Sequence, residues 1–238
     1  MNRVIIAIAA LVSAITISCV KEKEKPKVIY DESKAAAVKK PDTSQIKVAD
    51  LPILMEGTKY LIHPVGDIRV YDDSNRSYGS SRTNSSASYA ISNYNRYEIT
   101  GYFENLKFQH LDSTSMVSLT DKKIQIQTAT CLNTMLAKRQ LLVYTLVDAD
   151  TNKDGKLDAN DIKSLYISEM GGKGFTKLSK DMQELIDWNI IEAQNRLYFR
   201  TIEDINKNGA FDKNDMVHYH YVNLMAEEWK AEGYEPVK

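Results

Sequence analysis

The chain of 238 residues reads as mainly β, on three observations. From Gly57 onward, short runs rich in Val, Ile, Tyr and Phe recur, each bounded by Gly, Pro, Asn or Asp. Several of them alternate apolar with polar residues, the period of two that a half-buried strand needs. The same alternation flanks both of the acidic, glycine-centred loops at 150–161 and 204–215, which places each loop at the tip of a β-hairpin. With 43% hydrophobic residues the chain can bury one good core or two small ones.

Three segments follow from composition. Residues 1–18 open with Asn2-Arg3 and continue as the apolar run Val4–Ile17, the pattern of a secretory signal peptide and too short for a convincing membrane span. Residues 19–50 are rich in Lys, Glu, Pro, Ala and Ser, include the charge run Lys21-Glu-Lys-Glu-Lys25, and read as a flexible tether. Residues 51–238 form the β-rich domain. Thr16-Ile17-Ser18-Cys19 resembles the lipobox of bacterial lipoproteins, with Thr16 where Leu or Val is usual. The resemblance implies a lipidated Cys19, a membrane partner reached through it, and residence in the bacterial cell envelope as an outer-membrane lipoprotein. Cys131 is then left as a small, buried apolar residue.

Within the domain, strands are expected at Lys59–His63, ended by Pro64, and at Asp67–Tyr71. Asp72–Asn95, dominated by Ser, Asn, Tyr and Arg, reads as a long loop. Strands resume at Arg96–Phe103, Leu106–Leu111, Ser115–Leu119 and Lys123–Gln127, and Cys131–Ala137 is a turn of helix or an irregular connection. Gln140–Val147 and Lys163–Ser168 flank the first loop; Arg196–Ile202 and Met216–Val222 flank the second. Asp181–Ala193 fits a helix face as well as a buried strand. Its place between two strand pairs, with Trp188 and three Ile, favours the strand.

The loops carry the chemistry. Counting Asp150 as position 1, oxygen side chains fall at positions 1, 3, 5, 9 and 12: Asp150, Asn152, Asp154, Asp158 and Asp161. Lys156 at position 7 can offer a backbone carbonyl, and Gly155 sits at position 6, where the loop turns sharply. A hard cation needs six or more oxygens, and this spacing is that of the EF-hand calcium loop, with Asp for Glu at position 12. The pattern recurs at Asp204, Asn206, Asn208, Ala210, Asp212 and Asp215, displaced by 204 − 150 = 54 positions. Two Ca²⁺ sites are therefore expected. The first, with four carboxylates against three, is expected to bind more tightly. The shorter Asp at position 12 lowers affinity or admits Mg²⁺.

Ser164–Ser179, an apolar strand, the turn Gly171-Gly172-Lys173-Gly174 and a strand ending in Leu-Ser, resembles the outer half of a TolB-type β-propeller blade. Asn105–Thr120 repeats that plan without the glycines. The resemblance implies propeller-like sheets forming an incomplete β-propeller, with the two EF-hand-type calcium loops at hairpin tips. Over Gln140–Leu224 the arrangement is similar to uncharacterised envelope lipoproteins with calcium loops between strands, a likeness that brings no activity with it.

A net charge of −1 argues against nucleic acid as the principal partner. The chain has no nucleophile elbow, no P-loop and no His-Glu-x-x-His motif. His218 and His220 share a strand face without a third ligand, which reads as a half-exposed strand rather than a zinc site. The expected function is a calcium-binding, lipid-anchored binding or scaffold module for a protein or glycan ligand. The alternative is a calcium-stabilised glycan- or peptide-processing hydrolase or its accessory subunit.

Overall fold

Strand Leu141–Val147 explains the architecture. Its sequence is apolar at nearly every position, as only a strand covered on both faces can be. Leu142, Tyr144 and Leu146 pack into one hydrophobic core, while Leu141 and Val143 pack into another on the opposite face. The molecule is three antiparallel sheets in layers, with this strand in the middle one. The computed structural model describes residues 25–30, 45–69, 90–132 and 139–237. The expected signal peptide, Cys19, most of the 72–95 loop and residues 133–138 lie outside them. With 49% strand and no α-helix among the described residues, the protein is mainly β, and its sheets are curled. Among those residues no helix is long and apolar enough to cross a membrane.

The first sheet contains β1 (Gln45–Ala49), β2 (Ile53–Leu54), β3 (Tyr60–Arg69), β6 (Asn105–His110) and β7 (Met116–Ser118). β1 and β2 share one edge of β3, and β6 lies on the other. The two strands expected on either side of Pro64 are one continuous strand. A strand residue's nitrogen and carbonyl point to the same edge, and the Pro64 carbonyl accepts the Asp50 N–H (2.9 Å) in the gap between β1 and β2. The missing N–H therefore faces a place where no ladder bond is made.

The middle sheet runs β11 (Thr176–Lys177), β10 (Lys163–Glu169), β9 (Leu141–Val147), β8 (Gln125–Cys131), β5 (Glu98–Phe103), β4 (Ser92–Tyr94). The third sheet is a meander in chain order: β12 (Gln183–Ile191), β13 (Arg196–Glu203), β14 (Met216–Asn223), β15 (Glu232–Tyr234). The ambiguous 181–193 segment is thus a strand. A short 3₁₀ turn, Glu192–Gln194, and Asn195 in the left-handed region (φ 51°) reverse the chain into β13.

The first core joins Ile62, Leu106 and Phe108 of the first sheet to Phe103, Ile126 and Tyr144 of the middle one. The second joins Leu165 and Ile167 of β10 to Leu185, Leu197, Phe199 and Val222 of the third sheet. Cys131 is buried in the first core, as expected of a small apolar residue. The two stretches that resemble blade halves are hairpins, β6–β7 and β10–β11. At the turn of the second, Gly172 (φ 82°) presses on the neighbouring layer, where a Cβ would come within 2.8 Å of the Phe108 ring.

Two pieces of the 19–50 segment, expected to be a flexible tether, have places in this fold. β1 pairs with β3 over five residues. Residues 25–30 lie against the loops described next.

Candidate metal-binding loops

Both acidic loops are hairpin tips, as the alternating flanks predict. β9 and β10 run in register up to Val147 opposite Lys163, and β13 and β14 up to Glu203 opposite Met216. Each loop turns at the same two positions. Lys153 and Gly155 have φ of 55° and 82°; Lys207 and Gly209 have 55° and 83°. Position 6 needs glycine because that backbone region is strained for other residues.

In the first loop the Asp150 carboxylate accepts from the N–H groups of Asp154 (3.1 Å) and Gly155 (2.7 Å). Asn152 Oδ1 accepts from Asp154 (2.9 Å), Asp154 Oδ1 from Lys156 (2.8 Å) and Asp158 Oδ1 from Asn160 (2.9 Å). Asp161 closes the loop, taking the N–H groups of Thr151 (2.7 Å) and Asn152 (3.2 Å) on one oxygen and that of Asp158 (3.0 Å) on the other. Asp161 is wholly buried. Burial pushes its carboxyl above the usual range, the three N–H donors oppose that, and the Asp150 charge adds to it.

The second loop repeats these bonds except those from the N–H groups of positions 2 and 3 to position 12, where Asn206 Nδ2 donates to Asp215 Oδ1 (3.4 Å) instead. Asp204 accepts from Asn208 (3.2 Å) and Gly209 (2.7 Å), Asn206 from Asn208 (2.9 Å) and Asn208 from Ala210 (2.8 Å). Asp212 accepts from Asn214 (2.8 Å) and Asp215 from Asp212 (2.8 Å). Asn206, Asn208, Ala210 and Asp212 are exposed, whereas Asn152 and Asp161 of the first loop are buried. Lys156 and Ala210, expected to contribute carbonyls, serve here as N–H donors.

The donor set is that of a hard cation: all ten side chains at positions 1, 3, 5, 9 and 12 end in oxygen, with no imidazole or thiolate. Convergence is another matter. Among the described residues, no group of three or more His, Cys, Asp or Glu side chains is gathered to hold a metal ion. The loop oxygens are engaged by backbone N–H groups, and every acceptor except Asp161 Oδ1, which takes two of them, keeps a further lone pair.

Three features of this region escaped the reading of the sequence. Asp148, just before the first loop, accepts from Lys177 Nζ (2.6 Å), Tyr166 OH (2.7 Å) and Ser164 Oγ (3.0 Å). Burial works to raise its pKa, yet Lys177, Tyr166 and Ser164 outweigh burial and hold it below the usual range. No motif marks such a residue, because its partners lie 16, 18 and 29 positions away. The second is residues 25–30, where the apolar island Val28-Ile29-Tyr30 in an otherwise polar segment is the one signal the sequence carries. The third is the outer face of the last sheet. Tyr198, Tyr219, Tyr221 and Tyr234 cluster there, with Arg196 over the Tyr221 ring at 4.2 Å and Arg200 forked onto Asp187.

The two histidines, expected on a half-exposed strand face, have different surroundings. His218 Nε2 meets Glu203 Oε2 at 2.6 Å, and His220 is buried, stacked on Phe199 at 4.9 Å. His220 is thus more enclosed than the half-exposed strand face expected of it. No protein family, characterised protein or solved structure matches the chain.

Proposed function

We propose that the chain is a calcium-binding envelope protein, held to a membrane by lipid on Cys19, and working as a binding or scaffold module in which calcium is structural. The single observation that supports it most is the likeness of the two loops. Matching residues 54 positions apart adopt the same turns and most of the same side-chain-to-backbone bonds. Each hairpin tip is thus preshaped around acidic oxygens that repel one another, and a cation that draws those oxygens inward relieves the repulsion. Asp150, Asn152, Asp154, Asp158 and Asp161, with the Lys156 carbonyl, would hold one ion. Asp204, Asn206, Asn208, Asp212 and Asp215, with the Ala210 carbonyl, would hold the other.

Calcium in this role holds rather than signals. The loops end paired strands, and among the described residues no helix stands beside them to be opened. Four carboxylates and deeper burial favour the first loop as the tighter site. The tyrosine–arginine face of the third sheet suits the binding role, since these side chains make amphipathic contact with protein or glycan at low entropic cost.

The test is a thermal melt with and without calcium. At about ten times Kd, one site adds ~1.4 kcal/mol. For a domain of this size that is a rise of about 4 °C. Asp150→Ala should remove most of the rise, Asp204→Ala less, and the double variant all of it. A melting temperature indifferent to calcium at about 10 mM, well above the Kd of extracellular modules, would sink the reading.

A further inference from the structure

Residues 25–30 run as an extended peptide between the two loops and bond to both. The Lys27 N–H donates to the Asn160 carbonyl (3.2 Å), and the Thr151 hydroxyl donates to the Lys27 carbonyl (3.1 Å). The Ile29 N–H donates to the Thr151 carbonyl (2.9 Å), all on the first loop. Between these, the Val28 N–H donates to the Gly209 carbonyl of the second loop (3.0 Å). The Val28 side chain is 3% exposed. The fit is close enough that a Cβ on Gly209 would stand 2.5 Å from the Val28 oxygen. Alternate residues of one strand thus reach opposite loops, as alternate N–H groups of any β-strand do.

The loop atoms involved are not incidental. Thr151 is also the residue whose N–H and hydroxyl meet the Asp161 carboxylate, and its hydroxyl accepts the Ile162 N–H. Gly209 gives its N–H to Asp204 while its carbonyl receives Val28. Each loop therefore presents to the strap a backbone whose geometry is set by its own position-1 or position-12 carboxylate.

We propose that residues 25–30 are a strap that couples the two loops: cation binding at either loop strengthens strap docking, and docking strengthens binding at both. The coupling rests on the calcium reading above. Its consequence is that two sites 54 residues apart fill cooperatively, by the reciprocity any linkage obeys. Docking also closes off the Lys27–Val28 peptide bond, whose flanking groups are hydrogen-bonded or buried.

The test uses the full chain in detergent, with calcium alone as ligand. Trypsin cleavage after Lys27 is followed by mass spectrometry, and binding by titration calorimetry. In the unaltered chain, calcium is expected to slow that cleavage about tenfold, the worth of one or two net hydrogen bonds. Val28→Asp should abolish the protection and weaken calcium binding at both loops several-fold; the milder Val28→Ala should do the same in part, and guards against a folding defect. Calcium that binds the unaltered chain but leaves cleavage unchanged overturns the coupling alone. So does a folded Val28→Asp chain that binds calcium as the unaltered one does. No binding to the unaltered chain overturns the calcium reading, and the coupling with it.

Discussion

Asp148 gathers three hydrogen bonds on a half-buried carboxylate at the mouth of the first loop, and Lys177 beside it also reaches Asp181 (2.6 Å). Removing the carboxylate strands the Tyr166 and Ser164 hydroxyls and leaves Lys177 with only its exposed partner. Asp148→Ala is expected to cost ~3 kcal/mol by urea denaturation, since breaking a partly buried charged network exceeds the net worth of its bonds. Asp148→Asn, which keeps an acceptor but no charge, should fall between. The Asp residues at positions 1 and 12 differ from Asp148 in one respect. Their partners are the loop's own N–H groups, so the spacing alone disclosed them, whereas Asp148 acts through side chains that only the folded hairpin brings within reach.

At the scale of single elements, β14 carries a pH dependence. His220 packs on Phe199, with His218 at 6.2 Å and Lys180 near enough to oppose its charge; His218 in turn meets Glu203. Burial first, then His218 and Lys180, lower the pKa of His220. The unfolded chain, with a histidine near its usual value of about 6.5, takes up that proton more readily than the folded one. This contribution to stability is whole above about pH 6.5 and is lost as pH falls through that value toward the lowered folded pKa. Denaturation midpoints measured from pH 8 to pH 5 should decline through this window, and His220→Phe, which keeps the stacked ring, should flatten that part of the curve. A decline equal in the variant would rule out His220 as its source. The period of two located β14 in the sequence; enclosure of His220 by the neighbouring sheet was not legible there, because a half-covered and a covered strand face can carry the same residues.

For the whole molecule, the middle sheet is shared by both cores, which makes the three layers one cooperative unit. Leu142 belongs to the first core and Trp229 to the second, with Trp188 packed against it. Leu142→Ala should cost about 3 kcal/mol. The tryptophan fluorescence of the far layer should nevertheless report the same lowered transition. Two separate transitions would show the layers to be independent. The strap adds a consequence at this scale. With Cys19 lipidated as proposed, a docked strap leaves five residues between Cys19 and Lys25, a reach of at most ~20 Å. An undocked one leaves 25 residues before β1, about 90 Å. Calcium would then set how far the sheets stand from the membrane.

The sequence by itself determined the mainly β class, the strand character of the flanks, and the position of both acidic loops at hairpin tips. Those features are local: an alternation of two residues, or a twelve-residue turn whose side chains bond to their own backbone. Tertiary structure alone decided that Pro64 lies within a strand, that the sheets stack in three layers around β9, and that the two loops lie side by side with residues 25–30 between them. Each of these depends on which edge or face meets a distant part of the chain. An apolar triplet such as Val28-Ile29-Tyr30 says that something will cover it, and only the packed molecule says what.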